Sequence, residues 1–310
     1  MNPITGLYAA LGVLTVGFIG AWTRLVLSQR RAAARVTPAT DIRPPSAGHF
    51  ALGAATNFLD ALGIGSFATT TTVFRLGRMV PDRIIPGTLN VGHTLPTHAQ
   101  AFAYIAVIPA DVLTLFSMIA AAVAGAWLGA GIVARWPKRK VQLGMSFALF
   151  GAAAFMIMRQ LELFPSGGEA IGVRGPALAV GVAGNFILGA LMTLGIGLYA
   201  PCMVLVSLLG MSERTAFPIM MGSCAFLMPI GGLRFIREQS YSLRHAVGLA
   251  IGGIPGVLVA AYIVKSLSLT AVRLLVIFVV LYTAIALLRS AFRESREADL
   301  AIEPHRVRTS

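Results

Sequence analysis

Two short glycine pairs that lie inside apolar runs decide the predicted fold. Residues 57–66 read NFLDALGIGS, so that Gly63-Ile-Gly65 falls within an apolar run over 48–74, and Gly195-Ile-Gly197 falls within a second run over 176–210. Glycine is a poor helix former and tolerates sharp turns. We therefore expect each run to turn back at its glycines as a re-entrant hairpin of two short helices.

The composition around these breaks is that of a membrane protein. The 310 residues are 56% hydrophobic and 12% charged, with a mean hydropathy of +0.79. A soluble domain carries roughly 25% charged residues, so an ordinary soluble enzyme is excluded. Apolar runs of about 20 residues, long enough to cross the hydrocarbon core, recur along the chain. The sequence therefore predicts an all-α polytopic membrane protein with the lipid bilayer as its surroundings.

The basic residues serve as topology signals. The net charge of +13 is spread over short clusters between apolar runs, so we expect no nucleic-acid partner. The run over 4–23 is followed, not preceded, by arginines, which indicates an uncleaved helix with its N-terminus outside. If both glycine-containing runs are hairpins, 20 of the 25 basic residues lie on the cytoplasmic side. This bias predicts a cytoplasmic C-terminus in a bacterial inner membrane.

The chain also contains an internal duplication. An offset of 132 places Gly63-Ile-Gly65 on Gly195-Ile-Gly197 and Pro86 on Pro218, and an offset of 131 places Gly125 on Gly256. Each copy then holds one hairpin and three crossings, and an odd number of crossings inverts the second copy. Inverted repeats around broken helices are typical of secondary transporters. Asn57 is expected to correspond to Asn185 if four residues are inserted in the second copy.

These patterns divide the chain into six parts. They are an extra N-terminal transmembrane helix over 1–35, a cytoplasmic linker over 36–47, repeat 1 over 48–160, an external loop over 161–175, repeat 2 over 176–290 and a cytoplasmic tail over 291–310.

The breaks are the expected substrate path. A helix that begins at a break directs unpaired N–H groups at whatever lies there, which favours a small anion. The segment after each hairpin contains prolines, at 86 and 96 in one copy and at 218 and 229 in the other, and is expected to be broken too. The candidate path residues are Asn57, Gly63, Gly65, Ser66, Thr88, Asn90, His93, Asn185, Gly195, Gly197, Tyr199, Ser223 and Cys224.

Asp60 is the carboxylate that lies well inside a predicted membrane segment, three residues before Gly63. Intramembrane ionisable groups are costly and usually functional, so Asp60, His93 and His98 are candidates for proton coupling. The alternative is that Asp60 caps or anchors the re-entrant turn. No metal-ligand spacing or cofactor motif is present, so we expect no metal, no cofactor and no catalytic residue. Cys202 and Cys224 are expected to be buried thiols.

The pattern resembles the TauE/SafE-type sulfite exporter family, the four-toluene-sulfonate uptake permease group. The resemblance rests on the paired Gly-Ile-Gly breaks, on Gly125-Ala-Trp-Leu-Gly129 leading into the basic stretch over 135–144, and on the loop over 234–244 followed by Gly253-Ile-Pro-Gly256. It covers about residues 48–290. The resemblance implies transport of small sulfur-containing anions such as sulfite, sulfonates or sulfoacetate.

The leading hypothesis is a proton-coupled secondary transporter with its site between the repeats. An anion channel of the same fold is the first alternative, and an integral membrane enzyme that uses Asp60, His93 and His98 is the second. The sequence leaves open whether the protein is a monomer or a homo-oligomer, and in which direction it transports.

Overall fold

The computed structural model describes residues 3–33, 44–62, 65–105, 108–133, 136–163, 168–195 and 197–263, together with single positions beyond 280. The described residues contain helices and no strand. The α-helices are α1 (Pro3–Ala33), α2 (Ala47–Ala61), α3 (Ser66–Leu76), α4 (Ile85–Gly92), α5 (Thr94–Tyr104), α6 (Val112–Val133), α7 (Lys138–Gln160), α8 (Gly175–Met192), α9 (Tyr199–Leu208), α10 (Glu213–Arg237) and α11 (Leu243–Ile263). A short 3-10 helix, Asp82–Ile84, precedes α4.

Within this described part, five helices are long and apolar enough to cross a membrane. These spans are Ile4–Gln29, Val112–Val133, Gly175–Met192, Arg214–Arg237 and Leu243–Ala261. The predicted all-helical, multi-pass architecture is therefore confirmed at this level. The last predicted crossing, over 269–288, lies almost entirely outside the described residues.

Both glycine-containing runs are interrupted as predicted, but the expectation of two short helices is wrong for the second run, because α8 is itself long enough to cross a membrane. The first run divides into α2 and α3, and the second divides into α8 and α9. Gly65 and Gly195 each have φ of +91°, a backbone conformation that a side chain disfavours. Gly63 lies outside the described residues. Because α2 has 15 residues and α3 has 11, neither is long enough to cross a bilayer alone.

The first helix of each interrupted run packs against a long helix from the other half of the chain. Helix α2 lies along α11, and α8 lies along α6. A Cβ atom added at Gly256 would meet the backbone of Ala54, and one added at Gly125 would meet the backbone of Phe186. Glycines let helix backbones approach this closely inside membranes. The two halves of the chain are thus interleaved.

The segment after each hairpin behaves differently in the two halves. In the first half it is broken, as expected, into α4 and α5 with His93 at the junction. In the second half the expected break is wrong, because α10 runs without interruption from Glu213 to Arg237 with Pro218 and Pro229 inside it. Proline leaves the carbonyl four residues earlier without its helix donor. For Pro229 that carbonyl belongs to Ala225, which is satisfied from outside the helix.

Candidate functional site

Asp60 connects the two helices of the first hairpin. It lies in the last turn of α2 and is buried. Its Oδ1 accepts a hydrogen bond of 2.5 Å from the backbone N–H of Ser66, the first residue of α3. The Ser66 hydroxyl is also close enough to interact with the carboxylate. The N-terminus of α3, an expected contact of the substrate, is therefore occupied by a carboxylate from the chain itself.

Gln100 links this carboxylate to the second break. Its Nε2 donates to Asp60 Oδ2 over 2.7 Å, and its Oε1 accepts from the Tyr199 hydroxyl over 2.6 Å. Tyr199 is the first residue of α9. A Cβ added at Gly197 would stand 3.8 Å from the Cβ of Phe67. The two breaks thus lie near each other, and one side chain of α5 joins them through hydrogen bonds.

Tyr199→Phe is expected to destabilise the protein by about 1–3 kcal/mol, because it leaves the buried Gln100 Oε1 without its donor. Thermal unfolding of the purified protein in detergent would measure the change. Tyr8→Phe is the matched control, since the Tyr8 hydroxyl donates at an exposed position to the Phe102 carbonyl. Its expected effect is within about 0.5 kcal/mol. Equal losses in the two variants would contradict the bridging role of Tyr199.

His93 forms a second buried polar connection beside the first. Its Nδ1 lies 3.0 Å from Asn57 Oδ1, and its Nε2 lies 3.0 Å from the Thr70 hydroxyl. The Asn57 amide nitrogen donates to the Gly53 carbonyl, which leaves its oxygen to accept from Nδ1. A neutral His93 then accepts from Thr70 at Nε2. His93 therefore ties α2 to α3 on the side of the hairpin that faces α4.

His98 lies apart from Asp60 and satisfies the carbonyl that Pro229 leaves open. Its Nε2 donates to the Ala225 carbonyl over 2.7 Å, and its Nδ1 lies 2.8 Å from the Thr15 hydroxyl of α1. A ring nitrogen facing a carbonyl must carry a proton. The contact allows α10 to remain helical through Pro229, and it attaches α1 to α5 and α10. The described hydrogen bonds of His98 do not reach Asp60 or His93.

The second half contributes a less polar lining. Asn185 donates to the Met118 carbonyl over 2.7 Å and to the Ser223 hydroxyl over 2.9 Å. The Cys224 thiol lies 3.6 Å from the Met192 sulfur and within electrostatic range of Asp60. Asn185 and Asn57 are not in matching surroundings, because Asn57 binds His93. Cys202 and Cys224 are buried free thiols, as expected.

Two of the remaining candidates lie towards other parts of the fold. Thr88 accepts a hydrogen bond of 2.9 Å from the Ser242 N–H ahead of α11. Asn90 donates to the Pro86 carbonyl and, at 3.5 Å, to the Met192 carbonyl near the second break. Its Oδ1 is buried and has no hydrogen-bond partner among the described residues. Asn90 thus lies beside the second break, whereas Thr88 connects α4 to the start of α11.

The structure therefore separates the candidates into groups. Ser66, Tyr199 and Asp60 share one network, and Gly65 and Gly197 lie at its two breaks. Three further residues of these hydrogen-bond networks, Gln100, Thr70 and Thr15, were not among the candidates predicted from the sequence. Each is a polar residue in an apolar segment, which is a signal that sequence offers, but their partners are far away along the chain.

Arg174 and Asp111 form an ion pair outside the spanning segments. The Arg174 guanidinium binds both carboxylate oxygens of Asp111, at 2.6 and 2.7 Å. Its hydrogen bonds hold the pKa of the Asp111 carboxyl well below its usual range. The pair joins the beginning of α6 to the beginning of α8. Among the described residues, no three His, Cys, Asp or Glu side chains gather as a metal site would require.

The second half of the chain matches a family of known proteins. Residues 177–309 match the family model Sulfite exporter TauE/SafE. The TauE/SafE match contains the second break, Tyr199 and the whole of α10 and α11. It confirms over these residues the resemblance predicted from the sequence, and it begins after the first hairpin. No curated protein and no solved structure matches the chain.

The TauE/SafE match and the five apolar helices together identify a multi-pass transmembrane transport protein. The matched family is one of membrane transporters.

Proposed function

We propose that this protein is a secondary transporter for small sulfur-containing anions, such as sulfite, sulfonates or sulfoacetate, and that it couples their movement to protons. The proposed site lies where the two breaks meet, between Ser66 and Tyr199. The family implies the anion class. The choice of site and the coupling rest on the arrangement around Asp60.

The observation that carries the proposal is the hydrogen bond from the Ser66 N–H to Asp60. A helix N-terminus favours a negative group, and here an internal carboxylate holds that position. A substrate anion would meet the same donors if Asp60 lost its charge. Asp60 therefore acts as a stand-in for the substrate at the start of α3.

Protonation of Asp60 would let the substrate anion replace the carboxylate at these donors. An ionised Asp60 keeps the Ser66 N–H and the Gln100 amide for itself and repels a second anion at short range. A protonated Asp60 is neutral and can release them, so that the Ser66 N–H, the Gln100 amide and the Tyr199 hydroxyl turn to the substrate. Proton and anion then bind more tightly together than either binds alone, which is the thermodynamic basis of coupling.

An inverted repeat is the architecture we propose for this site. The contacts of the hairpins support it, since α2 lies on α11 and α8 lies on α6. The glycines at these contacts, Gly125 and Gly256, are 131 residues apart, and the backbones they meet, at Ala54 and Phe186, are 132 apart. A rocking motion of one half against the other would open the site between the two breaks to each side of the membrane in turn. We propose that the basic ends of α1 and α10 face the cytoplasm of a bacterial inner membrane.

Uptake of labelled sulfite into proteoliposomes tests the proposed function. We expect saturable uptake that an imposed pH gradient accelerates, and competition by sulfonates in an order that names the substrate class. A matched control uses liposomes without protein. Flux that follows membrane potential without saturating would support a channel instead. Absence of flux for sulfite and for the whole sulfonate panel would contradict the proposal.

A further inference from the structure

An apolar cleft opens between α1, α6 and α10. Its volume is about 510 Å³, and every described residue that lines it is apolar or glycine. Helix α6 contributes Val123, Ala124 and Trp127 to one wall, and α10 contributes Phe226 and Ile230 to another. Trp127 is 58% exposed, so the cleft lies at the surface of the bundle. Because α1, α6 and α10 are spanning helices, this surface faces the acyl chains of the bilayer.

A basic residue stands one helix turn beyond the cleft. On α10, Arg234 follows the lining residue Ile230 by four positions, and on α6 Gly131 follows Trp127 by four positions. Residues four apart lie on one face of a helix, so both positions continue the walls of the cleft. They also meet, since a Cβ added at Gly131 would stand 2.8 Å from Nη2 of Arg234 and 2.9 Å from its Cζ. The guanidinium therefore packs against α6 at the end of the cleft, in space that the glycine leaves open.

The charge of Arg234 is not matched by the described part of the chain. Arg234 is half-buried, and its guanidinium forms no hydrogen bond or ion pair with a described residue. Arg75 and Arg174, by contrast, each bind a carboxylate. Removing a cation from water without a counterion is costly, and more so in a membrane. The end of the cleft is therefore suited to an anionic group from outside the protein.

The order of the surfaces along α10 is that of a phospholipid. The apolar stretch at Phe226 and Ile230 comes first, Arg234 follows about 5.4 Å further along the axis, and the helix ends at Arg237. An acyl chain lies in the hydrocarbon region and its phosphate lies at the surface of the membrane. A lipid in the cleft would therefore bring its head group to the height of Arg234.

We propose that the apolar cleft binds an acyl chain of a phospholipid with an anionic head group, and that Arg234 binds this head group. Complementary charge selects an anionic rather than a zwitterionic lipid, because basic pockets between spanning helices attract anionic head groups. The lipid would pack between the extra N-terminal helix and the two long helices α6 and α10.

Quenching of tryptophan fluorescence by brominated phospholipids tests the proposal without any transport assay. The protein contains three tryptophans, so Trp22→Phe with Trp136→Phe leaves Trp127 as the reporter of the apolar cleft. The purified protein is placed in vesicles that contain equal parts of phosphatidylglycerol and phosphatidylcholine. Either the first or the second lipid carries brominated acyl chains, so that the charge of the membrane is the same in both measurements.

We expect brominated phosphatidylglycerol to quench Trp127 with about fivefold preference over brominated phosphatidylcholine, which corresponds to the attraction of roughly one basic residue for an anionic membrane. Arg234→Gln should remove this preference, and Arg234→Lys should retain most of it. The matched control is Arg237→Gln, at the exposed arginine three residues further along α10. It should leave the preference unchanged.

Gly131→Ala tests the position of the charge separately from its presence. The new Cβ would displace the Arg234 guanidinium from α6, and the displaced atoms are the end of a flexible side chain, so the helices need not move. The net charge stays the same. We expect this variant to lower the preference for phosphatidylglycerol, although every arginine is retained.

A second reporter gives the comparison within the same protein. Trp127→Phe with Trp136→Phe leaves Trp22, which lines another cleft, between α1 and α11. Arg234→Gln should not alter the quenching of Trp22. The proposal is overturned if Trp127 is quenched equally by both lipids or by neither, or if Arg237→Gln lowers its preference as much as Arg234→Gln does. Equal quenching would mean that the cleft holds bulk lipid of any kind, and equal losses would mean that the overall charge of this end attracts the lipid.

Discussion

Asp60→Asn is expected to abolish the part of sulfite uptake that depends on the pH gradient. The asparagine side chain cannot gain or lose a proton, but its Oδ1 can still accept from the Ser66 N–H. Rotation of the Gln100 amide would restore hydrogen bonds both to the new side chain and to Tyr199, so the variant should fold. At low proton concentration the wild-type carboxylate competes with the substrate, and a difference of about 1.4 kcal/mol is a factor of ten in affinity. We therefore expect gradient-driven uptake by the variant to be lower than that of wild type by about tenfold or more.

Proteoliposomes containing the variant would be compared with wild type, with and without an imposed pH gradient. Exchange of labelled for unlabelled anion without a gradient should persist in Asp60→Asn, since it requires binding but no net proton movement. Asp111→Asn is the matched carboxylate control, because Asp111 lies outside the spanning segments. Undiminished acceleration by the gradient in Asp60→Asn would exclude Asp60 from coupling, while the transport proposal itself would stand on the wild-type flux.

Gly125→Ala and Gly256→Ala are expected to cause large losses of stability. A new Cβ would stand 2.9 Å from the carbonyl carbon of Phe186 in the first variant and 2.8 Å from that of Ala54 in the second, with the carbonyl oxygens closer still. Backbone atoms cannot move aside as a flexible side chain does, so the helices must separate. Overpacking of this kind costs about 1–3 kcal/mol or more, and helix contacts in lipid depend on close packing.

Thermal unfolding in detergent and the yield of folded protein would measure these losses. Gly17→Ala and Gly151→Ala are the matched controls, because a Cβ added at either position meets nothing within 4 Å. Alanine favours a helix over glycine by up to about 1 kcal/mol, so these controls should be neutral or slightly stabilising. If all four variants behaved alike, helix propensity and not backbone contact would govern these positions.

The site shows where sequence reasoning reaches its limit. Asp60 and the glycines around it were predictable because a carboxylate and paired glycines are rare in apolar segments. Gln100 was visible as a polar residue, yet its position between Asp60 and Tyr199 depends on a contact across 99 residues of chain. Sequence spacing carries information about neighbours within a helix turn or two, and it carries none about which helix packs opposite.

Proline gives the opposite lesson. Pro218 and Pro229 predicted a break in the second half, by the rule that proline removes a helix donor. Helix α10 remains continuous through both. At Pro229 the lost donor is replaced by His98 from α5, which binds the Ala225 carbonyl. A local rule was thus overridden by a side chain supplied from another helix.

The sequence by itself determined the membrane setting, the two breaks and the identity of the buried carboxylate. Hydrophobicity, glycine conformation and the cost of an intramembrane charge are local properties, and they act whatever lies around them. Only the tertiary structure decided that Asp60 binds the start of α3, that Gln100 joins the two breaks and that α2 and α8 each pack on the other half of the chain. These outcomes depend on which polar groups meet once the helices pack, because a buried donor or acceptor must find its partner within about 3 Å.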